Sequence, residues 1–338
     1  MEFLSEYGMF LAKAVTVVVA ILAAVGGLVA ISARGQIKPK DHIEIKNINR
    51  HYEDMAHALS SAMQSKKQFK QTLKKLKKQR KDKDKEDKTE KRRVFVLNFH
   101  GDIRASAVSS LREEVTAVLK VARPEDEVVL RLESVGGLVH GYGLAASQLM
   151  RIRDKKLKLT VAVDKVAASG GYMMASVADH IVAAPFAVVG SIGVLAQLPN
   201  FHRLLKKHDV DYEMFTAGEF KRTVTILGEN TDKGREKFRQ DIEDTHELFK
   251  DFVVQQRSDL DIAKVATGEH WYGTRALDLK LVDELRTSDD YLLAASENAD
   301  IFEISYVSKK PLIAKWLSSA AQFLERRYQE TVLFRGDF

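Results

Sequence analysis

Residues 159–175 read LTVAVDKVAASGGYMMA, and this stretch decides the fold. Its first part is apolar and rich in β-branched residues, which predicts a strand, and the apolar residues after Gly171 predict a helix. Ser169 therefore lies at a strand-to-helix turn, where free backbone N–H groups could stabilise a negatively charged oxygen. This position makes Ser169 a candidate nucleophile. In the alternative interpretation, Ser169 only caps the helix and the two glycines allow close packing.

Strand-like and helix-like segments alternate on both sides of this turn. The predicted strands are residues 94–99, 127–134, 159–166, 180–185, 187–197 and 211–218, and the predicted helices are residues 104–122, 141–155, 170–178, 201–208 and 232–257. Strands that alternate with helices of this length pair in parallel through crossover connections. The pattern predicts an α/β fold in which both faces of a sheet are covered.

A run of 20 uncharged residues, AVTVVVAILAAVGGLVAISA, occupies positions 14–33. This is the length that a helix needs to cross a bilayer, so residues 1–40 are predicted to be a membrane anchor. A cleaved signal peptide is the alternative, but the apolar run is long for one and acidic residues precede it.

A basic segment follows the anchor, with 15 basic and 5 acidic residues between positions 66 and 93. The whole chain has a net charge of +6, so the rest of the chain is negatively charged. We predict a helical stalk or linker over residues 41–93 and a globular domain over 94–306. Contact with anionic lipid is the second interpretation of the stalk, and no element for nucleic-acid binding accompanies it. Residues 307–338 are predicted to form an amphipathic helix, Leu312 to Tyr328, and a tail.

Several kinds of chemistry compete for this domain. The chain contains no cysteine, which excludes thiol nucleophiles and disulfides, and no histidine pattern indicates a metal site or a catalytic triad. Gly141, Gly143 and Ala146 follow a dinucleotide-binding pattern, but the preceding loop is too long for its tight turn. A serine and lysine pair is the third possibility. Lys221 is the candidate base, because a desolvated lysine can lose its proton near neutral pH, and Lys165 is its rival.

Four motifs together resemble the signal peptide peptidase A family of membrane serine peptidases. They are VAASGGYMMA (166–175), GSIGV (190–194), GEFKR (218–222) and GEHWYGTRALDLKLVDEL (268–285). The resemblance spans residues 94–306 and implies a fold of repeated ββα units, similar to ClpP and crotonase. The usual proline before the glycine pair of that family is Val135 here.

The resemblance also implies the roles of individual residues. Ser169 corresponds to the nucleophile and Lys221 to its base, while the N–H groups of Gly137 and Gly170 correspond to the oxyanion hole. An extended substrate is expected beside the Gly137 loop, and the expected substrate-binding residues are Gly136, Tyr172, Met173, Ser191 and Gly193.

Hydrophobic peptides near a membrane, such as spent signal peptides or fragments of misfolded proteins, would suit such a site. Relatives assemble into rings in which the two catalytic groups come from neighbouring subunits, so we expect a homo-oligomer. We expect no cofactor, no metal and no nucleic-acid partner, and membrane lipid as the partner of the anchor.

The basic residues after the anchor favour a cytoplasmic domain. The resemblance favours a periplasmic domain at the bacterial inner membrane. A catalytically silent, membrane-anchored scaffold is the alternative function.

Overall fold

The computed structural model describes residues 8, 9, 13, 15–20, 41–63 and 91–308. In this part of the chain, no helix is both long and apolar enough to span a membrane. Most of the predicted anchor, about half of the predicted stalk and the whole predicted C-terminal amphipathic helix lie outside the described residues. Residues 43–306 belong to one compact unit, which contains the candidate site.

The described residues form the following elements. The strands are β1 His42–Asn47, β2 Arg92–Gly101, β3 Glu127–Ser134, β4 Lys158–Val163, β5 Val166–Ala168, β6 His180–Ala183, β7 Val188–Gly190, β8 His270–Tyr272, β9 Glu284–Leu285 and β10 Ala299–Val307. The helices are α1 Ile48–Met63, α2 Val108–Val121, α3 Val139–Asp154, α4 Gly170–Ser176, α5 His202–Lys207, α6 Asp232–Gln256, α7 Ile262–Val265, α8 Gly273–Asp278 and α9 Ser288–Ala295.

The strands form one sheet, with the main order β1-β10-β2-β3-β4-β6-β9. From β10 to β9 each neighbouring pair is parallel. A short branch leaves this path, because β5 pairs with β3 and then with β7, and β7 pairs in antiparallel fashion with β8. The α/β prediction is confirmed. The order β4-β5-α4 followed by β6-β7-α5 is a ββα sequence that occurs twice, while the likeness to ClpP and crotonase remains a prediction.

Strand β2 shows why the sheet is buried on both faces. Phe95, Leu97 and Phe99 belong to the main hydrophobic core, whereas Val94 and Val96 belong to a second cluster on the opposite face. Successive side chains of a strand point to opposite faces, so an unbroken apolar run requires cover on both sides. Each buried side chain of this size contributes about 1.5–3 kcal/mol.

The register of the central strands places the candidate site. Gly101 at the end of β2 lies opposite Ser134 at the end of β3, and Ser134 lies opposite Ala167 of β5. The loops that leave β2, β3 and β5 therefore meet at one edge of the sheet. Ligand sites of open parallel sheets lie at this carboxyl edge.

The N-terminal boundary of the domain differs from the prediction. Residues 41–63 were predicted as stalk, but β1 pairs with β10, and Ile48 is buried in the second hydrophobic cluster. Asn49 donates hydrogen bonds to the carbonyls of Ser296 and Ala299 and accepts one from the N–H of Ile301. The domain therefore includes residues well before Val94. The stalk was inferred from charge, and the most strongly charged part of it begins only at residue 66.

Two predicted strands are shortened or missing. The segment 187–197 forms a strand only over Val188–Gly190, because the positive φ angles of Gly190 and Ser191 end it. Residues 211–218 form no strand. Their alternating pattern is real, but Tyr212 and Met214 are exposed, and no strand of the described chain pairs with them. A strand needs a pairing edge as well as a pattern.

Candidate active site

Ser169 lies between β5 and α4, as predicted, in a strained conformation. Its φ of 53° and ψ of −119° are values that residues with a Cβ atom rarely adopt. Two bonds hold it there: its N–H donates to the Gly190 carbonyl at 2.8 Å, and its carbonyl accepts from the Met173 N–H at 2.9 Å. The side chain is half-buried and does not cap the helix. The helix-cap interpretation of Ser169 is therefore not supported. Its hydroxyl makes no hydrogen bond within the described residues.

The glycine pair after β3 lies directly against Ser169. Gly136 has a φ of 90°, and a Cβ atom at this position would lie 2.7 Å from the Ser169 Cβ and 2.8 Å from the Gly170 nitrogen. No larger residue could bring the backbone this close. The structure thus brings Ser169, Gly136 and Gly170 together.

The backbone N–H groups of this cluster differ in their partners. The Gly136 N–H donates to Ser134 Oγ at 3.1 Å. The N–H groups of Gly137 and Gly170 have no acceptor among the described residues. These are the two donors that the resemblance assigned to an oxyanion hole. Free N–H groups beside a serine hydroxyl are what acyl transfer requires.

Lys221 lies in a segment without regular structure, residues 208–231, and is exposed. In the described residues no hydrogen bond joins it to Ser169. Its neighbours are held by other contacts, since Glu219 forms an ion pair with Lys233, and the ammonium groups of Lys233 and Lys237 lie over the Phe220 ring. The described residues of a single chain therefore do not give Lys221 the shielding from water that we predicted.

Neither Lys165, the rival base, nor three histidines of the described domain contact Ser169 by a hydrogen bond. Lys165 forms an ion pair with Glu133 at 3.0 Å, and its side chain is 66% exposed. His180 contacts Glu284 at 3.0 Å, His246 contacts the Ile192 carbonyl at 3.2 Å, and His140 is exposed. In the part of the chain that the structure describes, none of these groups hydrogen-bonds to Ser169.

Comparison with known proteins decides the family. The model of the peptidase family S49 N-terminal region matches residues 2–149, and the model of peptidase family S49 matches residues 151–301. The chain belongs to peptidase family S49. This membership confirms the family that the four motifs indicated, and it makes the chain a peptidase.

The relatives of this S49 peptidase include bacterial proteins named "Probable protease SohB". The one from Haemophilus influenzae is 53% identical over 326 residues, which cover 93% of this chain and 92% of the relative. The one from Buchnera aphidicola subsp. Schlechtendalia chinensis is 48% identical over 305 residues, which cover 87% of this chain and all of the relative. Among solved structures, a variant of the 1510-N membrane-bound stomatin-specific protease has 13% identity and a TM-score of 0.43, and the match covers 66% of this chain and all of that one.

The residues predicted to bind substrate in the S49 peptidase fall into two groups. Ser191 and Gly193 are partly exposed and follow Gly190, whose carbonyl is bonded to Ser169. Gly136 lies next to Ser169, and the Met173 N–H donates to the Ser169 carbonyl, but both residues are buried.

Tyr172 was predicted to form a substrate pocket, and the structure contradicts this. The side chain is fully buried, its hydroxyl donates to the Leu281 carbonyl at 2.9 Å, and burial raises its pKa above the usual value. All seven residues of α4 are buried, so the sequence of this short helix has no polar face that could show where Tyr172 points.

Sequence reasoning also missed two buried polar residues behind the site, Ser134 and Tyr142. Tyr142 lies inside the dinucleotide-binding pattern of Gly141, Gly143 and Ala146, where Gly141 lies close to the Arg104 carbonyl. Gly141 thus serves close packing of α3, whereas Gly143 has open space around its Cβ position. The remaining signal was a tyrosine at a buried helical position, which by itself does not indicate a role at the site.

Proposed function

We propose that this S49 peptidase is a serine endopeptidase in which Ser169 is the nucleophile and Lys221 its general base. The observation that supports it best is the strained backbone of Ser169 against the Gly136 loop. Its hydroxyl does not cap the helix, and the two N–H groups beside it have no acceptor among the described residues. Strain of about 1–3 kcal/mol persists where the surroundings enforce it, and it concentrates at functional positions.

The reaction follows from these groups. The neutral amine of Lys221 takes the proton of the Ser169 hydroxyl as its oxygen attacks the carbonyl carbon of the substrate. The N–H groups of Gly137 and Gly170 stabilise the resulting oxyanion, and the protonated lysine then donates to the departing amine. Water hydrolyses the acyl-enzyme by the same route in reverse, which restores Ser169.

Lys221 is proposed to act on Ser169 of a neighbouring copy. The segment that carries it exposes large apolar side chains to solvent in the single chain, with Phe215 90% exposed and Met214, Phe220 and Ile226 also exposed. Exposed apolar surface of this extent is typical of a protein interface. Burial of the segment in a homo-oligomer would supply the shielding from water that the base requires.

The proposed substrates are hydrophobic peptides, including spent signal peptides and fragments of misfolded proteins. An extended peptide would lie between the Gly137 loop, which follows β3, and residues 191–193, which follow β7, because β5 pairs with both of these strands just before Ser169. We further propose that residues 14–33 anchor the enzyme in the bacterial inner membrane through lipid contact, with the catalytic domain in the periplasm. The uncharged run of 20 residues supports the anchor.

The experiment that tests the proposal uses Ser169→Ala and Lys221→Ala, each purified as the full chain in detergent and assayed on an apolar peptide. Both variants are expected to be inactive. Lys165→Ala is the matched control, since it removes an exposed lysine near the site, and it should retain activity. Activity retained in Lys221→Ala but lost in Lys165→Ala would assign the base to Lys165 instead.

Mixing the two inactive variants tests the neighbouring-copy arrangement. If subunits exchange freely, about one quarter of the sites combine an intact serine with an intact lysine, and about that fraction of activity returns. If both groups come from one chain, no activity returns.

A catalytically silent scaffold is the second candidate, and the exposure of Lys221 in the single chain favours it. This candidate predicts that the wild-type assembly cleaves no peptide and that a serine-directed inhibitor leaves Ser169 unmodified.

A further inference from the structure

A chain of four buried or half-buried groups lies directly behind the glycine pair. The Gly136 N–H lies 3.1 Å from Ser134 Oγ, Ser134 Oγ lies 2.6 Å from the Tyr142 hydroxyl, and that hydroxyl lies 2.8 Å from the Asp102 carbonyl. Ser134 and Tyr142 are buried, and neither was predicted from the sequence to act at the site.

The direction of each bond in this chain is determined. The Tyr142 hydroxyl has one proton, which it donates to the Asp102 carbonyl. The bond between the two hydroxyls must then use the proton of Ser134, with the Tyr142 oxygen as acceptor. Ser134 Oγ is left with a lone pair, which accepts the Gly136 N–H. Hydrogen bonds aligned in this way polarise and strengthen one another.

This series of hydrogen bonds determines which N–H of the loop stays available to an oxyanion. Because Ser134 takes the Gly136 N–H, the loop turns at Gly136, with its φ of 90°, and the N–H of Gly137 is left without an acceptor in the described residues. A second bond, from the Leu138 N–H to the Ile103 carbonyl at 2.8 Å, holds the far side of the same loop.

Tyr142 also contacts the other proposed donor. A Cβ atom on Gly170 would lie 2.4 Å from Cγ of the Tyr142 ring, so the ring packs directly against the backbone of Gly170. Tyr142 thus supports both proposed donors, with its ring directly against Gly170 and its hydroxyl acting on the Gly136–Gly137 loop through Ser134.

We propose that Ser134 and Tyr142 are positioning residues that hold the oxyanion hole in its catalytic geometry. This inference rests on the proposed function, because it requires Ser169 to form a tetrahedral oxyanion. It assigns a role to the hydroxyl of Tyr142 that is separate from the packing of its ring.

The test removes the hydroxyls and keeps the packing. Tyr142→Phe keeps the ring against Gly170, and Ser134→Ala removes a single oxygen. Each is expected to lower kcat about tenfold to a hundredfold with little change in KM, which is less than the loss from deleting a donor outright. Binding of a peptide aldehyde, whose adduct with Ser169 carries an oxyanion, should weaken by the same factor. The double variant should lose no more than the worse single variant, because both break one chain.

Tyr291→Phe is the matched control. It also removes a half-buried tyrosine hydroxyl that donates a hydrogen bond, at 2.7 Å to Glu127, but Glu127 begins β3 whereas Ser134 ends it. Its kcat and aldehyde affinity should equal those of the wild type, even if its thermal stability falls.

The outcomes separate the two proposals. If Ser169→Ala is inactive while Tyr142→Phe and Ser134→Ala retain full kcat and aldehyde affinity, the positioning role is wrong and the proposed function stands. If Ser169→Ala cleaves peptides as fast as the wild type, the proposed function itself fails. A kcat loss in Tyr142→Phe that merely equals its loss of folded protein would also overturn the positioning role.

Discussion

At Ser169 the demands of catalysis and of stability oppose each other. A side chain at a φ of 53° and a ψ of −119° is strained, and glycine would adopt the same backbone without that penalty. The residue is nevertheless a serine, whose hydroxyl bonds to nothing within the described chain. Strain kept at a position of this kind is typical of a functional residue.

Replacing Ser169 by glycine or by alanine separates these two effects. Both variants lose the nucleophile, so both should be inactive on an apolar peptide. Ser169→Gly should be more stable than Ser169→Ala by about 1 kcal/mol, because only alanine keeps the strained Cβ atom. Denaturant unfolding of the two full-length variants measures the difference. Equal stability would show that the backbone at this position is not strained.

Gly170 and Gly143 provide a matched pair of glycines within helices. Gly170→Ala should destabilise the protein by about 1–3 kcal/mol and abolish activity, because the new Cβ atom meets the Tyr142 ring. Gly143→Ala has open space around its Cβ position and should stabilise α3 by about 0.5–1 kcal/mol with activity unchanged. Thermal unfolding and peptide cleavage test both. An active, stable Gly170→Ala variant would contradict the packing described here.

At the scale of elements, β3 joins two different polar centres. It ends at Ser134 in the candidate site and begins at Glu127, a buried carboxylate. Burial is the largest single influence on the pKa of Glu127 and would raise it, but hydrogen bonds from Thr160 and Tyr291 act in the opposite direction. With the charges of Lys158 and Arg92, they hold the pKa of Glu127 below its usual value.

Glu127 should therefore make the stability of the sheet sensitive to acid. A folded pKa below the unfolded one stabilises the native state fully above the unfolded value of about 4.3, and this contribution is lost as the pH falls through the folded value. Glu127→Gln should lower the free energy of unfolding by about 1–3 kcal/mol at pH 7, because Lys158 and Arg92 lose their partner. The difference from the wild type should shrink below pH 4. Urea unfolding at several pH values measures it, and a constant difference would refute the assignment.

The elements also show what the sequence could predict. Strand β3 matches its predicted bounds, because an apolar run buried on both faces has its own signature, and the turn at Ser169 follows from a strand, two glycines and a helix. The sequence pattern missed strand β1 and wrongly predicted a strand at 211–218. Whether such a segment becomes a strand depends on a pairing edge that lies far away in the sequence. The contact of Gly136 with Ser169 likewise depends on the alignment of β3 with β5. The roles of Ser134 and Tyr142 depend on hydrogen bonds that no local pattern encodes.

At the scale of the whole molecule, the segment with Lys221, residues 208–231, has three features that the described single chain does not explain. Its apolar side chains are exposed, its alternating pattern forms no strand, and its lysine has no bond to Ser169 in the described structure. A neighbouring copy that covers this segment would account for all three observations.

Phe215→Asp should therefore disrupt assembly and leave the fold intact. The side chain is 90% exposed, so a charge there should not change the circular dichroism of the protein. The mass in detergent should fall to that of a smaller species, and peptide cleavage should fall with it. Leu293→Asp, which changes an exposed apolar residue of α9, is the control and should keep mass and activity. An unchanged mass in Phe215→Asp would exclude this residue from the interface.

The nucleophilic role of Ser169 can be measured most directly by trapping the acyl-enzyme. The wild-type assembly is treated with a serine-directed acylating inhibitor, digested and mapped by mass spectrometry. The predicted result is a single adduct on Ser169 that forms in step with the loss of peptidase activity and is absent from Lys221→Ala. An adduct on a different serine, or full inhibition with Ser169 unmodified, would contradict the proposed mechanism.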